Sequence, residues 1–231
     1  MEIIPQVHWI PARGANVFLL RDQELTLIDT GMKGSAPRVL QYLSRLGYSP
    51  SQVARIIATH YHMDHVGSLA QLKRATGARV LVHRGDARII RGELPQPFPT
   101  ENRALALMIR PLSMVMGADP VEVDVALEDG DELPIFGGMK VIHVPGHTLG
   151  SICLFSPQKR LLIAGDVINN RFGRLRLAPR PTCTDFRLSR QSVRKLAGLD
   201  FDALCLGHGT PLTRGAAEEV RRLLSRLPPL A

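Results

Sequence analysis

At 231 residues the chain has the size of one large domain, and we expect a single domain over residues 1–231. The formal net charge of +8 at pH 7 permits attraction to anionic substrates, nucleic acid or anionic membranes, and it selects none of them. No apolar run has the length of a membrane span, and the first residues lack a basic start and a cleavage site, so we expect neither a membrane span nor secretion.

The first part of the chain alternates predicted strands with predicted helices. Apolar and β-branched stretches predict strands at 3–10, 16–20, 25–29 and 54–58. Helical spacing predicts a helix over 35–46, which Ser35 should cap and Gly47 should end. A second helix is predicted to begin at residue 66, directly after a cluster of histidines.

Residues 87–119 fit this alternation poorly. After three closely spaced prolines they contain a strongly apolar stretch at 104–109, followed by further leucine and methionine residues. A segment this apolar on all sides should cover another surface. We interpret it as a helical cap over an active site or as a homodimer contact, ahead of a helix packed in the core. The methionines of a cap would suit a greasy substrate.

The second part of the chain repeats the order of strands followed by helices. We predict a strand meander over 121–164, a helix over 185–196, a strand at 203–206 and a helix over 214–227. No Gly/Ser-rich linker divides the two parts. Two such halves suit two sheets packed face to face with helices outside.

Four candidate metal ligands follow the predicted strand at 54–58: His60, His62, Asp64 and His65. Packing would not require so many imidazole and carboxylate groups in six residues. Side chains two residues apart in an extended segment can point the same way, so His60 and His62 can converge on one ion. Asp64 and His65 are then free to face a second ion.

Three later segments each place a candidate ligand directly after a glycine at the end of an apolar run. These ligands are His147, Asp166 and His208. A glycine lets the chain turn sharply and lets the backbone approach an ion closely. Asp166 alone could be a turn residue, and Asp29 before Gly31 a cap, but the joint occurrence of these His and Asp residues at strand ends predicts a metal centre. For His8, His83 and His143 we favour ordinary structural roles.

Together these residues resemble the signature of the metallo-β-lactamase-fold hydrolases. The run from His60 to His65 is similar to the family's His-x-His-x-Asp-His motif, and residues 27–31 are similar to its early aspartate motif. The resemblance implies an α/β fold, an αββα sandwich of two mixed sheets flanked by helices. It also implies two divalent metal ions, with zinc favoured and iron or manganese as alternatives. One ion would be held by His60, His62 and His147, the other by Asp64, His65 and His208.

The same resemblance assigns roles to two further aspartates and to Asp64. Asp166 would bridge the two ions, and Asp29 would orient the ligands. Paired ions can lower the pKa of a shared water to roughly 7, so hydroxide is available at neutral pH. Asp64 would act as the catalytic residue that orients this hydroxide and passes its proton to the leaving atom.

The predicted function is hydrolysis of a small carboxylic ester, lactone or thioester, with an acyl lactone favoured because of the apolar segment. The alternatives are a glyoxalase II-like thioesterase and a persulfide dioxygenase with one iron. Glyoxalase II carries a C-terminal domain for which the stretch after His208 leaves no room. Antibiotic hydrolysis is expected at most as a side activity, and an RNA-processing nuclease lacks support because no RNA-gripping arm is found.

The partners and setting follow from the remaining residues. The arginines at 171, 174, 176 and 180 are interpreted as a solvated basic surface, with an anion-holding loop beside the metals as the alternative. They do not alternate with aromatic residues as a nucleic-acid groove would, so we expect a small-molecule substrate and no nucleic acid. The chain has three cysteines, Cys153, Cys183 and Cys205, an odd number with no close spacing. This pattern predicts reduced thiols and a cytoplasmic protein.

Overall fold

A seven-stranded sheet forms one layer of the computed structural model, which describes residues 1–97 and 117–228. Its strands lie side by side in chain order: β1 (Glu2–Ile4), β2 (Val7–Pro11), β3 (Asn16–Arg21), β4 (Leu25–Ile28), β5 (Val53–Ala58), β6 (Arg79–His83) and β7 (Val125–Leu127). The strands from β1 to β4 pair antiparallel, and those from β4 to β7 pair parallel. The sheet is therefore mixed.

A second mixed sheet of five strands packs against the first, in the spatial order β14, β11, β10, β9, β8. These strands are β8 (Glu132–Leu133), β9 (Met139–His143), β10 (Ile152–Ser156), β11 (Leu161–Ile163) and β14 (Ala203–Cys205). Only the pair of β11 and β14 is parallel among the described strands of this sheet. The connection from β11 to β14 contains a separate hairpin of β12 (Ile168–Arg171) and β13 (Arg174–Leu177).

Helices complete the described part of the fold. They are α1 (Ala36–Arg45), α2 (Met63–Val66), α3 (Leu69–Thr76), α4 (Arg84–Ile90), α5 (Phe186–Ser192) and α6 (Ala216–Ser225), with short 3-10 turns at Pro50–Gln52, Arg180–Thr182 and Val193–Gly198. Buried residues of α1, α3 and α4 share a core with the first sheet. Buried residues of α6 and of the 3-10 turn after α5 share one with the second.

Alternation along the strands explains why the sheets bury both faces. In β3, Val17 and Leu19 face the helices, whereas Phe18 and Leu20 face the second sheet. All four are at most 2% exposed, and burying each such side chain is worth roughly 1.5–3 kcal/mol. Three packed cores therefore separate four layers, which confirms the predicted αββα sandwich.

The start of α1 differs from the prediction. Ser35 precedes the helix but forms no capping bond with its own side chain. The hydroxyl of Ser68 accepts instead from the backbone N–H groups of Ser35 and Ala36, at 2.9 and 3.2 Å. Gly47, with φ of +80°, lies just beyond the end of the helix as predicted. The cap is supplied from a distant loop, which local sequence spacing does not reveal.

Other boundaries depart from the predictions in smaller ways. The strand predicted at 3–10 is two strands, because Gln6 adopts a φ of +71° between them. The hairpin of β12 and β13 and helix α4 were not predicted. The segment at 87–119 was predicted to be a cap or a dimer contact. Its first residues form the end of α4, and its apolar stretch at 104–109 lies outside the described residues. Within residues 1–97 and 117–228, no helix is both long and apolar enough to cross a membrane.

Candidate metal centre

The predicted ligands meet at one edge of the sandwich because each follows the end of a strand. His60 comes two residues after β5, and Asp166 and His208 come three residues after β11 and β14. His147 lies in the loop between β9 and β10. Parallel strands end at a common edge, so side chains distant in sequence become neighbours there.

The imidazoles of His60, His62 and His147 form the first group. One ring nitrogen from each lies within 4.8 Å of the others, and the Nε2 atoms of His60 and His147 are 3.2 Å apart. Thr59 donates its hydroxyl proton to Asp29, so its oxygen is left to accept from the Nδ1–H of His60, 3.1 Å away. The Nε2 lone pair of His60 therefore points into the group.

Burial keeps these three imidazoles neutral. Loss of hydration, with smaller contributions from neighbouring histidines, holds the pKa of His60 well below its usual range and lowers the pKa of His62 to about 3. Burial also lowers the pKa of His147 to about 4, against the opposing charge of Asp166. Neutral imidazoles are the form that binds metal ions.

Asp64, His65 and His208 form the second group, again with ligand atoms within 4.8 Å of one another. His208 Nε2 lies 3.2 Å from an oxygen of Asp64, and His65 Nε2 lies 3.9 Å from the same oxygen. Burial would lower the pKa of both histidines, but adjacent carboxylates raise that of His208 to about 9 and that of His65 well above its usual range. The neighbouring carboxylates therefore favour a positive charge at this group.

Asp166 lies between the two groups. One of its oxygens is 3.2 Å from His65 Nε2, and the other is 3.1 Å from His208 Nε2 and 3.6 Å from His147 Nε2. Burial opposes ionisation, yet the positive charge of His65 and the hydrogen bond from His208 hold the pKa of Asp166 well below its usual range. This carboxylate faces both groups in its ionised form.

The donor set fits divalent cations. His65 Nε2 and Asp166 Oδ1 are buried, and within the described residues neither has a hydrogen-bond partner of acceptable geometry. Buried polar atoms normally find partners, and unpaired ones call for an explanation such as an ion. Imidazole nitrogens and carboxylate oxygens at this spacing are the ligands that zinc, iron and manganese accept.

Asp29 connects both groups from beneath. Its carboxylate accepts from the backbone N–H and the hydroxyl of Thr59, both at 2.8 Å, and from Nδ1 of His65 at 2.8 Å. A carboxylate can only accept here, so Nδ1 of His65 carries the proton and Nε2 is directed at Asp166. That Asp29 orients metal ligands stays a prediction, which these hydrogen bonds support.

Asp86 is a site residue that sequence reasoning missed. It is fully buried at the start of α4 and accepts from the backbone N–H of Tyr61, the hydroxyl of Thr148 and the backbone N–H of Gly150. Tyr61 lies between His60 and His62, and Thr148 follows His147. Burial raises the pKa of Asp86 to about 6, although its hydrogen bonds oppose the shift. One carboxylate therefore fixes both histidine loops to each other.

Replacing Asp86 with asparagine is expected to cost about 1–3 kcal/mol of unfolding free energy, because an amide must turn its NH₂ group toward at least one of the three donors. Urea unfolding measures the loss. Thr148→Val removes only one of the three donors and should show a smaller loss. An Asp86→Asn protein as stable as the wild type would contradict this account of the buried carboxylate.

Asn16 holds the loop that carries His208. Its side-chain amide donates to the carbonyls of Leu206 and Gly209, at 2.9 and 2.8 Å, and its oxygen accepts from the indole of Trp9 at 2.7 Å. These carbonyls lie on both sides of His208 in the chain. A residue from the first sheet thus positions a candidate ligand at the end of the second, which no motif in the sequence indicated.

A cavity of about 690 Å³ opens beside both groups. His62, Asp64, His147, Asp166 and His208 border it. Its other walls include apolar residues and the hairpin of β12 and β13: Tyr61, Met63, Pro97, Asn169, Asn170, Arg171, Phe172, Pro179 and Thr182. This volume suits a small molecule.

Comparison with known proteins identifies the family. Residues 10–208 match the family model of the metallo-beta-lactamase superfamily. The chain belongs to the metallo-beta-lactamase superfamily. Solved structures with the metallo-beta-lactamase fold also resemble this chain. A family protein from Thermus thermophilus superposes with a TM-score of 0.72 at 22% identity, over 97% of this chain and 78% of that chain. BJP-1, a subclass B3 metallo-beta-lactamase of Bradyrhizobium japonicum, gives 0.71 at 20% identity, over 98% and 89%.

Two relatives with similar sequences differ in how much of their length they share with the chain. The probable metallo-hydrolase YflN of Bacillus subtilis (strain 168) is 28% identical over 98% of this chain and 92% of its own length. The hydroxyacylglutathione hydrolase of Pseudomonas savastanoi pv. phaseolicola is 33% identical over 71% of this chain. The chain spans only about half of that enzyme's length, 51%.

The histidines predicted to be structural lie outside both groups. His83 and His143 stack on each other, with ring centroids 3.9 Å apart, and His8 is 3.0 Å from the hydroxyl of Tyr42. The three cysteines are free thiols, and Cys183 lies 3.9 Å from Nδ1 of His147. The structure therefore gathers all seven predicted ligands together with Asp29, and their binding of metal stays a prediction.

Proposed function

We propose that the chain is a metal-dependent hydrolase that uses two divalent cations to cleave a small carboxylic ester, thioester or lactone. The observation that carries this proposal is the convergence of seven ligand-type side chains, two of which present buried atoms that have no hydrogen-bond partner in the described part of the chain. One cation would be held by His60, His62 and His147, and the other by the residues of the second group. Asp166 would bridge them.

When bound, the two cations would lower the pKa of a water molecule and polarise the substrate carbonyl. The protein residues hold and move the proton. Asp64 borders the cavity, and the hydrogen bond from His208 lowers the pKa of Asp64 although burial opposes the shift. Ionised Asp64 would take a proton from the attacking water and pass it to the leaving sulfur or oxygen. The new bond joins the water oxygen to the carbonyl carbon, and the carbon–sulfur or carbon–oxygen bond breaks.

The substrate class is supported by the family and by the relatives. Similarity to a hydroxyacylglutathione hydrolase over 71% of this chain, which spans 51% of that enzyme, favours thioesters. The preference for acyl lactones depended on the apolar segment, most of which lies outside the described residues, and it stays a prediction. Both classes release a carboxylic acid, so one assay compares them.

The decisive experiment is acid release in a pH-stat, with protein loaded separately with zinc, manganese or iron. The panel contains acyl lactones, S-acyl glutathiones and simple esters. We expect hydrolysis of at least one class, abolished by chelator and restored by metal. Silence of the metal-replete protein across the panel would refute the proposed ester chemistry, and oxygen consumption with a persulfide would point instead to the dioxygenase alternative.

A further inference from the structure

The turn of the β12–β13 hairpin, at the mouth of the cavity, breaks local rules of hairpin design. Phe172 and Gly173 both have positive φ, +53° and +75°, as the tight two-residue turn of a hairpin requires. Asparagine, aspartate or glycine usually occupies the first of these positions, and a bulky aromatic residue is strained there. Phe172 is nevertheless fully exposed and borders the cavity. Nothing in its own packing explains the choice of this side chain.

The charges of the same hairpin are also unfavourable in isolation. Arg171 lies directly opposite Arg174 in the strand register, and like charges facing each other destabilise a strand pair. Residues 167–184 contain no aspartate or glutamate. Within the described residues Arg171 forms no ion pair, although it borders the cavity. A bound anion would relieve this repulsion.

The hairpin is fixed rigidly to the candidate metal centre. The backbone N–H of Asn170 donates to the carbonyl of His208 at 3.1 Å, and its side-chain amide donates to the carbonyl of Thr210 at 2.9 Å. Gly209, with φ of +88°, packs so closely on the carbonyl of Asn170 that a side chain would not fit. Arg171 therefore starts from a backbone position that is set relative to His208.

We propose that this hairpin is a substrate-recognition element for a molecule that carries a carboxylate away from its scissile bond. Arg171 binds the carboxylate through its planar guanidinium, which can form two parallel hydrogen bonds to it. Phe172 covers the apolar stretch between the carboxylate and the reacting carbonyl. The inference rests on the proposed hydrolase function and narrows its substrates to anionic esters and thioesters.

Matched pairs of substrates test the inference, each pair differing only by carboxylate against carboxamide. On the acyl side we compare the 4-nitrophenyl monoester of glutarate with that of glutaramate. On the leaving-group side we compare the acetyl thioesters of 3-mercaptopropionate and 3-mercaptopropionamide. The proteins are the metal-loaded wild type, Arg171→Gln and, as matched control, Arg176→Gln. Arg176 carries the same charge on the same hairpin but does not border the cavity.

We expect the wild type to favour the carboxylate member of one pair by about tenfold in kcat/KM, because its KM is lower. The pair that shows this preference reveals whether the substrate carries its carboxylate on the acyl side or on the leaving-group side. Arg171→Gln should abolish the preference, whereas Arg176→Gln should keep it. Phe172→Ala should raise KM for both members alike. Equal rates within both pairs, or a preference that survives in Arg171→Gln, would overturn the inference.

Calorimetric binding of glutarate and glutaramate decides the same point without turnover. We expect Arg171→Gln to weaken the binding of glutarate about tenfold more than the binding of glutaramate. Arg176→Gln should change neither affinity. Absence of hydrolysis together with this binding difference would reject the proposed ester chemistry while supporting the anion site. Hydrolysis without the difference would reject the anion site alone.

Discussion

Asp166→Asn is expected to reduce hydrolysis by on the order of 10³-fold, equivalent to about 4 kcal/mol of activation free energy, while the protein remains folded. Asparagine keeps the size of the side chain but removes the negative charge that faces both ligand groups. Its NH₂ group would also point toward His65 or His208, each within 3.2 Å of the present carboxylate. We expect fewer bound metal ions, measured by mass spectrometry of metal content after dialysis.

The control for this variant is Asp200→Asn, which removes an exposed carboxylate that pairs with Arg160 at the surface. It should keep both metal content and turnover. Circular dichroism of both variants separates loss of metal from loss of fold. A metal-replete Asp166→Asn protein with the turnover of the wild type would exclude a bridging role for this carboxylate.

The candidate ligands could be recognised in the sequence because their chemistry is local. His60, His62, Asp64 and His65 lie within one loop, and His147, Asp166 and His208 each stand after a glycine at the end of an apolar run. Strand ends of a layered sheet meet at one edge, so the positions of these residues in the chain already imply proximity. The family resemblance then supplied the pairing into two groups.

The residues that support the ligands could not be predicted in this way. Asp86 accepts from residues 25 to 64 positions away in the chain, and Asn16 reaches carbonyls 190 and 193 positions away. Each is an ordinary polar residue beside an ordinary strand or helix, so neither periodicity nor spacing distinguishes it. Their roles exist only once the two sheets have packed.

The hairpin of β12 and β13 could not be predicted from the sequence for a related reason. Its strands are rich in arginine and asparagine rather than in β-branched residues, and Phe172 occupies a turn position where asparagine would have been the recognisable signal. Scattered arginines of this kind favour a solvated surface when only the sequence is considered. The position of Arg171 on the wall of the cavity gives weight to the alternative of an anion-holding loop.

Asp29→Asn is expected to lower zinc affinity by about 10- to 100-fold, the usual cost of removing a residue that orients a metal ligand. Asp29 has a φ of +58°, a conformation that asparagine tolerates well, so the variant keeps the backbone. The amide cannot accept from Thr59 and His65 with both of its ends. The Nδ1 proton of His65 would lose its acceptor in one orientation, and the backbone N–H of Thr59 in the other.

Competition with a chromophoric chelator measures this zinc affinity, and Thr59→Val provides the graded comparison. Valine keeps the shape of Thr59 but removes the hydroxyl that links Asp29 to Nδ1 of His60. This variant should lower zinc affinity less than Asp29→Asn does, because the contact of Asp29 with His65 survives. Wild-type zinc affinity in Asp29→Asn would mean that the imidazoles are oriented by packing alone. The predicted loss would show that one buried carboxylate fixes the tautomer of His65 directly and that of His60 through a threonine.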